Sequence, residues 1–424
     1  MNTCKKIKIA AVAPPFSGHL YPLLDLLTSL LADEKYEIYV FSGIEKKNII
    51  EKQGFVFKPI LANMNENIFR NIANTSKKTN IKLMYKQLVE NINLINKIIP
   101  ELKNEFKKLN IDIVIADFIA IPAGIVATEL NIPWITTIPT PFAIENKKGT
   151  PSYFGGLKPS NSPIIKVRDF FARKLIRLIK KIFYLFALKK LEYKKLELYN
   201  EKGEENIYSP YSILALGMKE LEFRDDFPEQ LIWVGPCLFQ SFSESNISLN
   251  LSIQRKKVLL TIGTHLLWGK ERIVELAEYL GSFYKNIDFI VSLGNDKEKQ
   301  IKKTKQENVF VYNYLDYEYI IPKVDFVIHH GGAGILYSCI KFAKPALILP
   351  HDYDQFDYAV RAELSDVAIS LKSKNKEKIK AAFEKLLKKE NWHNLTTLSN
   401  KMKNYKTDEI LKSEIERLYN LKRG

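Results

Sequence analysis

Short, unbroken apolar runs alternate with longer stretches of helical periodicity, and the series occurs twice along the chain. "IKIAAVA" (7–13), "YEIYVFSG" (36–43), "IDIVIADF" (111–118) and "IPWITTIP" (132–139) read as buried strands, with "LLDLLTSLLADE" (23–34) and "PAGIVATEL" (122–130) as helices among them. The rhythm restarts with "KKVLLTIGT" (256–264), "IDFIVSLG" (287–294), "NVFVYNY" (308–314), "DFVIHH" (325–330) and "PALILP" (345–350). The helices of this second series are "ERIVELAEYLGSFY" (271–284) and "AGILYSCIKF" (333–342). Such alternation predicts parallel sheets flanked by helices. Two series in 424 residues predict two doubly wound α/β halves. The Ser- and Asn-rich end of "LIWVGPCLFQSFSESNISLNLS" (231–252) is the expected joint. The expected division is an N-terminal domain over 1–238, a linker over 239–252, a second domain over 253–405 and a closing helix over 406–424 that packs back on the body.

Composition narrows the class. Apolar residues make up 46% of the chain, enough for packed cores. Three scattered cysteines, Cys4, Cys237 and Cys339, argue against a disulfide framework and for a reducing, cytoplasmic setting. The N-terminal "MNTCKKIKIAAVAPPFSGH" sets lysines before an apolar run, but Pro14-Pro15 breaks it, so a first buried strand fits better than a signal peptide. No apolar stretch approaches the roughly 18–20 residues of a membrane span.

Net charge is +16, with Lys and Glu interspersed over most of the chain. Residues 164–196 differ, holding eleven Lys/Arg against two Asp/Glu. Phe171, Leu175, Leu178, Ile182 and Leu185 share one helical face, and Arg173, Arg177, Lys180 and Lys181 lie on the other. This is either a domain helix with a solvated basic face or a helix lying on an anionic membrane. Nucleic acid is not the expected partner, because no recognised binding motif accompanies the charge.

In open parallel sheets, ligands bind beyond the carboxyl ends of the strands, so the loops there matter most. In "DFVIHHGGAG" (325–334), a strand ends on His329-His330, and Gly331, Gly332 and Gly334 open a helix near Ala333. Bare backbone N–H groups at a helix start make an anion site, and a histidine beside them can donate to a phosphate oxygen. The plain alternative is a strand-to-helix turn with a core histidine. Neither the P-loop nor the dinucleotide spacing is present. In "PHDYDQFDYA" (350–359), Asp354 and Gln355 offer acceptors and donors suited to paired sugar hydroxyls. Asp352 and Asp354 also form an Asp-x-Asp of the kind that holds a divalent metal, but no further ligands cluster there.

In the first half, "PPFSGHLYPLL" has Gly18 at the turn and His19 at a helix start, where a neutral imidazole can act as general base. Asp117, at the end of "IVIAD", can orient that imidazole and stabilise its charged form.

Together these segments resemble the UDP-glycosyltransferase superfamily of GT-B fold, in its bacterial macrolide-glycosyltransferase-like branch. The resemblance runs nearly end to end, through "PPFSGHLYPLL", "IVIADF…ELNIPW", "LEFRDDFPEQLIWVGPCLF", "VLLTIGT" and "DFVIHHGGAGILYSCIKFAKPALILPHDYDQFDYAVRAEL". It implies two Rossmann-like domains facing across a cleft. It implies His19 as base and Asp117 as its holder. It implies a donor site made of Gly18, Gly263, Thr264, Tyr314, Leu315, His330, Gly331, Gly332, Ala333, Gly334, Ile335, Asp354 and Gln355. In that site His330 contacts the diphosphate, Tyr314 stacks on the base, and Asp354 and Gln355 hold the sugar. The co-substrate implied is a nucleotide sugar, UDP by default and dTDP as the alternative, with no metal or other cofactor and with inversion at the anomeric carbon. The acceptor implied is small and hydrophobic or lipid-like. Departures from the family are Ile335 where relatives carry Ser or Thr, Ser338 in place of the ribose-binding glutamate, and Tyr314 in place of tryptophan. These lost contacts motivate one competing reading, a non-catalytic sugar-nucleotide-binding subunit that activates a partner enzyme. A nucleotide-sugar epimerase of the same architecture is another, but it has no reason to keep the His19–Asp117 arrangement.

Overall fold

A computed structural model describes residues 6–61, 81–188, 197–239, 254–263, 269–294, 304–352 and 354–422. The expected linker therefore falls almost wholly outside the described residues, as does Thr264.

The first half contains β1 (Ile7–Val12), α1 (Ser17–Thr28), β2 (Tyr36–Ser42), α2 (Lys47–Lys52), β3 (Val56–Pro59), α3 (Ile81–Leu109), β4 (Ile113–Asp117), α4 (Ile121–Glu129), β5 (Trp134–Ile138), α5 (Pro163–Leu188), β6 (Ile213–Ala215) and β7 (Leu231–Trp233). The second half contains β8 (Lys256–Thr261), α6 (Lys270–Phe283), β9 (Ile287–Ser292), β10 (Val309–Tyr312), α7 (Tyr317–Ile320), β11 (Phe326–His329), α8 (Ala333–Lys341), β12 (Ala346–Ile348), α9 (Gln355–Leu364), β13 (Ala368–Ser370), α10 (Lys376–Lys388), α11 (His393–Met402) and α12 (Thr407–Leu421).

Each half is built on a parallel sheet. The orders are β3-β2-β1-β4-β5-β6-β7 and β10-β9-β8-β11-β12-β13. In both, chain direction across the sheet reverses beside the first strand, between β1 and β4 and between β8 and β11. Val12 pairs with Ala116 at the first reversal, and Thr261 pairs with His329 at the second. These are the crevices where a doubly wound sheet leaves room for a ligand.

Both faces of the first sheet are buried, which explains its unbroken apolar strands. Ile9, Ile113 and Ile115 pack on one side with Leu20, Leu23 and Leu27 of α1, and Val12, Val114 and Ala116 pack on the other with Phe106 and Val126. The closing helix α12 belongs to this first core. Its Leu411, Ile415 and Leu418 are fully buried, the helix packing on α1 and β4, each contributing roughly 1.5–3 kcal/mol.

The halves meet along α9. Arg361 bonds both oxygens of Glu222, each at 2.9 Å. Its guanidinium lies 4.2 Å from the Phe142 ring centre and 4.4 Å from that of Phe223. Tyr358 Oη donates to Pro139 O at 2.7 Å, and Tyr153 N–H donates to Asp357 at 2.9 Å.

Helix α5 departs from the domain-helix expectation of an apolar face in the core and a solvated basic face. Phe171, Leu175, Leu178, Ile182 and Leu185 are between 44% and 65% exposed. The body instead draws in the cations, because its carboxylates lie beneath the helix. Lys180 pairs with Glu205 at 2.5 Å, Arg177 with Glu145 at 3.6 Å, and Arg173 bonds Gly149 O.

Candidate active site

His19 sits in the first turn of α1, directly after β1, and Asp117 is the last residue of β4. The two strands adjoin at the sheet reversal, so adjacency in the fold brings together residues 98 positions apart. His19 Nδ1 donates to Asp117 Oδ1 at 3.0 Å, with Oδ2 at 3.2 Å. The Ile119 N–H holds the same carboxylate at 3.1 Å. A carboxylate only accepts, so the proton lies on Nδ1 and the neutral ring keeps its lone pair on Nε2. Phe118 flanks the imidazole at 5.4 Å between ring centres. Burial by itself would lower the pKa of His19, but the Asp117 carboxylate outweighs it and Asp354 adds to the effect, leaving the pKa above the ordinary 6.5. The Asp354 influence matters because Asp354 belongs to the other domain.

In the second domain the glycine turn connects β11 to α8. His329 and His330 have different roles. His329 is buried, and its Nδ1 accepts the Gly331 N–H at 3.0 Å, so it shapes the turn. Burial pushes its pKa well down, which keeps the ring neutral. The His330 ring lies over bare backbone: a Cβ on Gly263 would come within 2.8 Å of its Cε1, and one on Gly332 within 2.6 Å of its Nε2. Gly331 has φ +94, the left-handed region that favours glycine, and a Cβ there would crowd Ile348 and the Gln355 carbonyl.

Gly332 caps α8 without a side-chain bond. The first intrahelical acceptor serves Leu336 N–H, at 3.1 Å from Gly332 O, so the N–H groups of Ala333, Gly334 and Ile335 precede the helix's own bonding. Gly18 and Gly334 both border open space, with no atom within 4 Å of a Cβ position.

The remaining expected residues divide by burial. The Leu315 and Ile335 side chains lie in the core, so only their backbones can face a ligand. Tyr314 is half-buried, two residues past the end of β10. Ser338 is buried in α8. Gln355 is already in use: its Oε1 accepts from His351 N–H at 2.9 Å and Asp352 N–H at 3.1 Å, leaving the amide NH₂ for a hydroxyl. Asp354 starts α9, and burial pushes its pKa up to about 6, against a lowering influence from His19.

Thr261 was not singled out in the sequence. Its hydroxyl accepts the Gly263 N–H at 3.2 Å and lies 3.3 Å from Tyr317 Oη, bracing the turn under His330. Its only sequence signal is a lone hydroxyl ending an apolar strand. A separate cleft of about 580 Å³ beneath the start of α5, lined by Lys148, Arg173, Arg224 and Asp226 among others, contains none of the candidate residues.

Two Rossmann-like domains, with an imidazole–carboxylate pair at one reversal and a glycine turn at the other, form a fold of the GT-B type. The comparisons agree. Residues 262–413 match the Glycosyltransferase family 28 C-terminal domain. The UDP-glucosyltransferase A1 of Starmerella bombicola is 23% identical, over 97% of this chain and 92% of its own length. A sterol 3-beta-glucosyltransferase of Vanderwaltozyma polyspora is 35% identical over 81 residues, which span 19% of this chain and only 7% of that protein. The glycotransferase of kitacinnamycin superposes with a TM-score of 0.75 at 18% identity, covering 98% of this chain and 100% of its own. The spinosyn rhamnosyltransferase SpnG, solved with thymidine diphosphate, gives 0.64 at 14% identity, covering 96% and 99%. The chain has the GT-B fold of these glycosyltransferases, and its second half carries the match to the family 28 C-terminal domain.

Proposed function

We propose that the chain transfers a sugar from a nucleoside diphosphate sugar to a hydroxyl of a small hydrophobic or lipid-like acceptor, with inversion and without a metal. One observation carries this reading: the 3.0 Å His19–Asp117 pair, formed where β1 and β4 adjoin at the sheet reversal. In this reading His19 and Asp354 serve one site.

His19 Nε2 takes the acceptor proton as the acceptor oxygen bonds to the anomeric carbon. The bond from that carbon to the diphosphate oxygen breaks on the opposite face. Asp117 stabilises the imidazolium that forms. The departing charge is met by the start of α8, the turn N–H groups and His330. Ionised Asp354 and the Gln355 amide hold the sugar hydroxyls. UDP is the expected nucleotide and dTDP the alternative; the relatives above include a UDP-glucosyltransferase and a structure with thymidine diphosphate. The apolar surface near α5 and the local likeness to a sterol glucosyltransferase support a hydrophobic acceptor.

Buried Ser338 and Ile335 favour one second reading, a non-catalytic sugar-nucleotide-binding subunit. Donor hydrolysis separates the two. Nucleotide release from UDP- or dTDP-sugars that vanishes in His19→Ala, with donor binding retained, supports the enzyme. Binding without any release in the wild type supports the subunit.

A further inference from the structure

We propose that α5 is a docking helix for an anionic lipid surface. It turns its apolar side outward along its length: Ile164 is 79% exposed, Phe171 65%, Leu178 54% and Leu185 59%. Twenty-six residues of helix extend roughly 39 Å. Asp169, the acid of this helix, is buried and paired with Arg168. Lys166, Lys174 and Lys181 are exposed along the helix and have no carboxylate partner among the described residues.

An apolar stripe bordered by cations, with no exposed acid, complements lipid tails and anionic headgroups together. A second copy fits poorly, because it would bring like lysines together on a chain of net charge +16. No described helix is long and apolar enough to cross a membrane, so the contact is one of lying on the surface. The chain leading into the helix is tied to the second domain near Asp354. Pro163 follows a strap whose Gly155 and Gly156 carbonyls accept from Lys372 and whose Tyr153 N–H bonds Asp357, three residues past Asp354. The docking does not depend on the transfer reaction, but under the proposed function it would bring the cleft rim to a source of lipid-like acceptor.

Co-sedimentation of the full chain with phosphatidylglycerol–phosphatidylcholine vesicles, against phosphatidylcholine alone, tests this. Binding to the anionic vesicles only, weakened by salt, is expected. Lys166→Gln/Lys174→Gln/Lys181→Gln should bind about a hundredfold more weakly. Phe171→Ser/Leu178→Ser should also lose binding while keeping its melting temperature, since both side chains are exposed. Donor hydrolysis without vesicles should be unchanged in both variants, so failure of docking is distinguishable from failure of the transferase reading. Equal binding to both vesicle types, or to neither, would overturn the proposal. So would a concentration-dependent dimer that Phe171→Ser/Leu178→Ser disperses.

Discussion

Gly263 and His330 share one space: a methyl group on the glycine would stand 2.8 Å from the Cε1 of the imidazole. They come from neighbouring strands of the second sheet, and the absent side chain of one sets the ring position of the other. Gly263→Ala should therefore displace His330. Its φ of +72 adds about 1–2 kcal/mol of backbone strain. Calorimetry should show weaker binding of nucleoside diphosphate and nearly unchanged binding of nucleoside, with His330→Ala giving the same pattern. Equal losses for both ligands would remove the diphosphate from this turn.

His19→Ala should lower turnover by roughly a hundred- to ten-thousandfold, the usual worth of a positioned base. Donor affinity should stay close to wild type. Asp117→Asn should also lower turnover, because it no longer fixes the proton on Nδ1 or stabilises the imidazolium. Unchanged turnover in His19→Ala would transfer the base role elsewhere.

The pH profile follows from the same pair. Only neutral His19 takes a proton, and its pKa in the fold lies above 6.5, so the acid limb of kcat/KM should lie above 6.5. In Asp117→Asn the main raising influence disappears and burial dominates, so that limb should move to lower pH. The stability effect has the opposite sense. With the folded pKa raised, the charged pair's contribution is complete below pH 6.5 and declines as pH rises through the folded value. Denaturant titrations of wild type and Asp117→Asn across this range should converge at high pH.

Asp354 gives a second, separable titration. Its carboxyl is held up to about 6, first by burial. Ionisation improves its acceptors for sugar hydroxyls. Affinity for the nucleotide sugar should rise as pH passes about 6, while affinity for the nucleotide alone should show no such step. Asp354→Asn should abolish the step.

Glu222 and Arg361 lock the two domains. Both side chains are almost fully buried, so removing one charge leaves the other poorly compensated. Glu222→Gln should destabilise the fold by roughly 3 kcal/mol in denaturant melts. A change within error would mean that Asp357, 3.8 Å from Arg361, already suffices.

Much of this molecule is determined locally. The strands of both sheets were legible because a parallel strand covered on two faces must be apolar along its buried length, as "IVIA" and "FVI" are before their polar ends. The glycine turn was legible because a positive φ and a close approach select glycine, as at Gly331. His19 was visible as a polar residue at a helix start and Asp117 as one ending an apolar run, but their 3.0 Å contact exists only because β1 and β4 adjoin at the sheet reversal. The family resemblance singled out His330 of the histidine pair, and the structure adds what His329 does, since burial and the Gly331 N–H engage that ring. The sequence left α5 ambiguous. Helical periodicity defines two faces, but which face turns inward depends on what lies beneath, and here Glu145 and Glu205 draw the cations down. The sequence determined what each segment must be, because backbone conformation and burial pattern act over a few residues. The tertiary structure decided which side chains meet, because distances across the sheet and between the domains are set only when the whole chain packs.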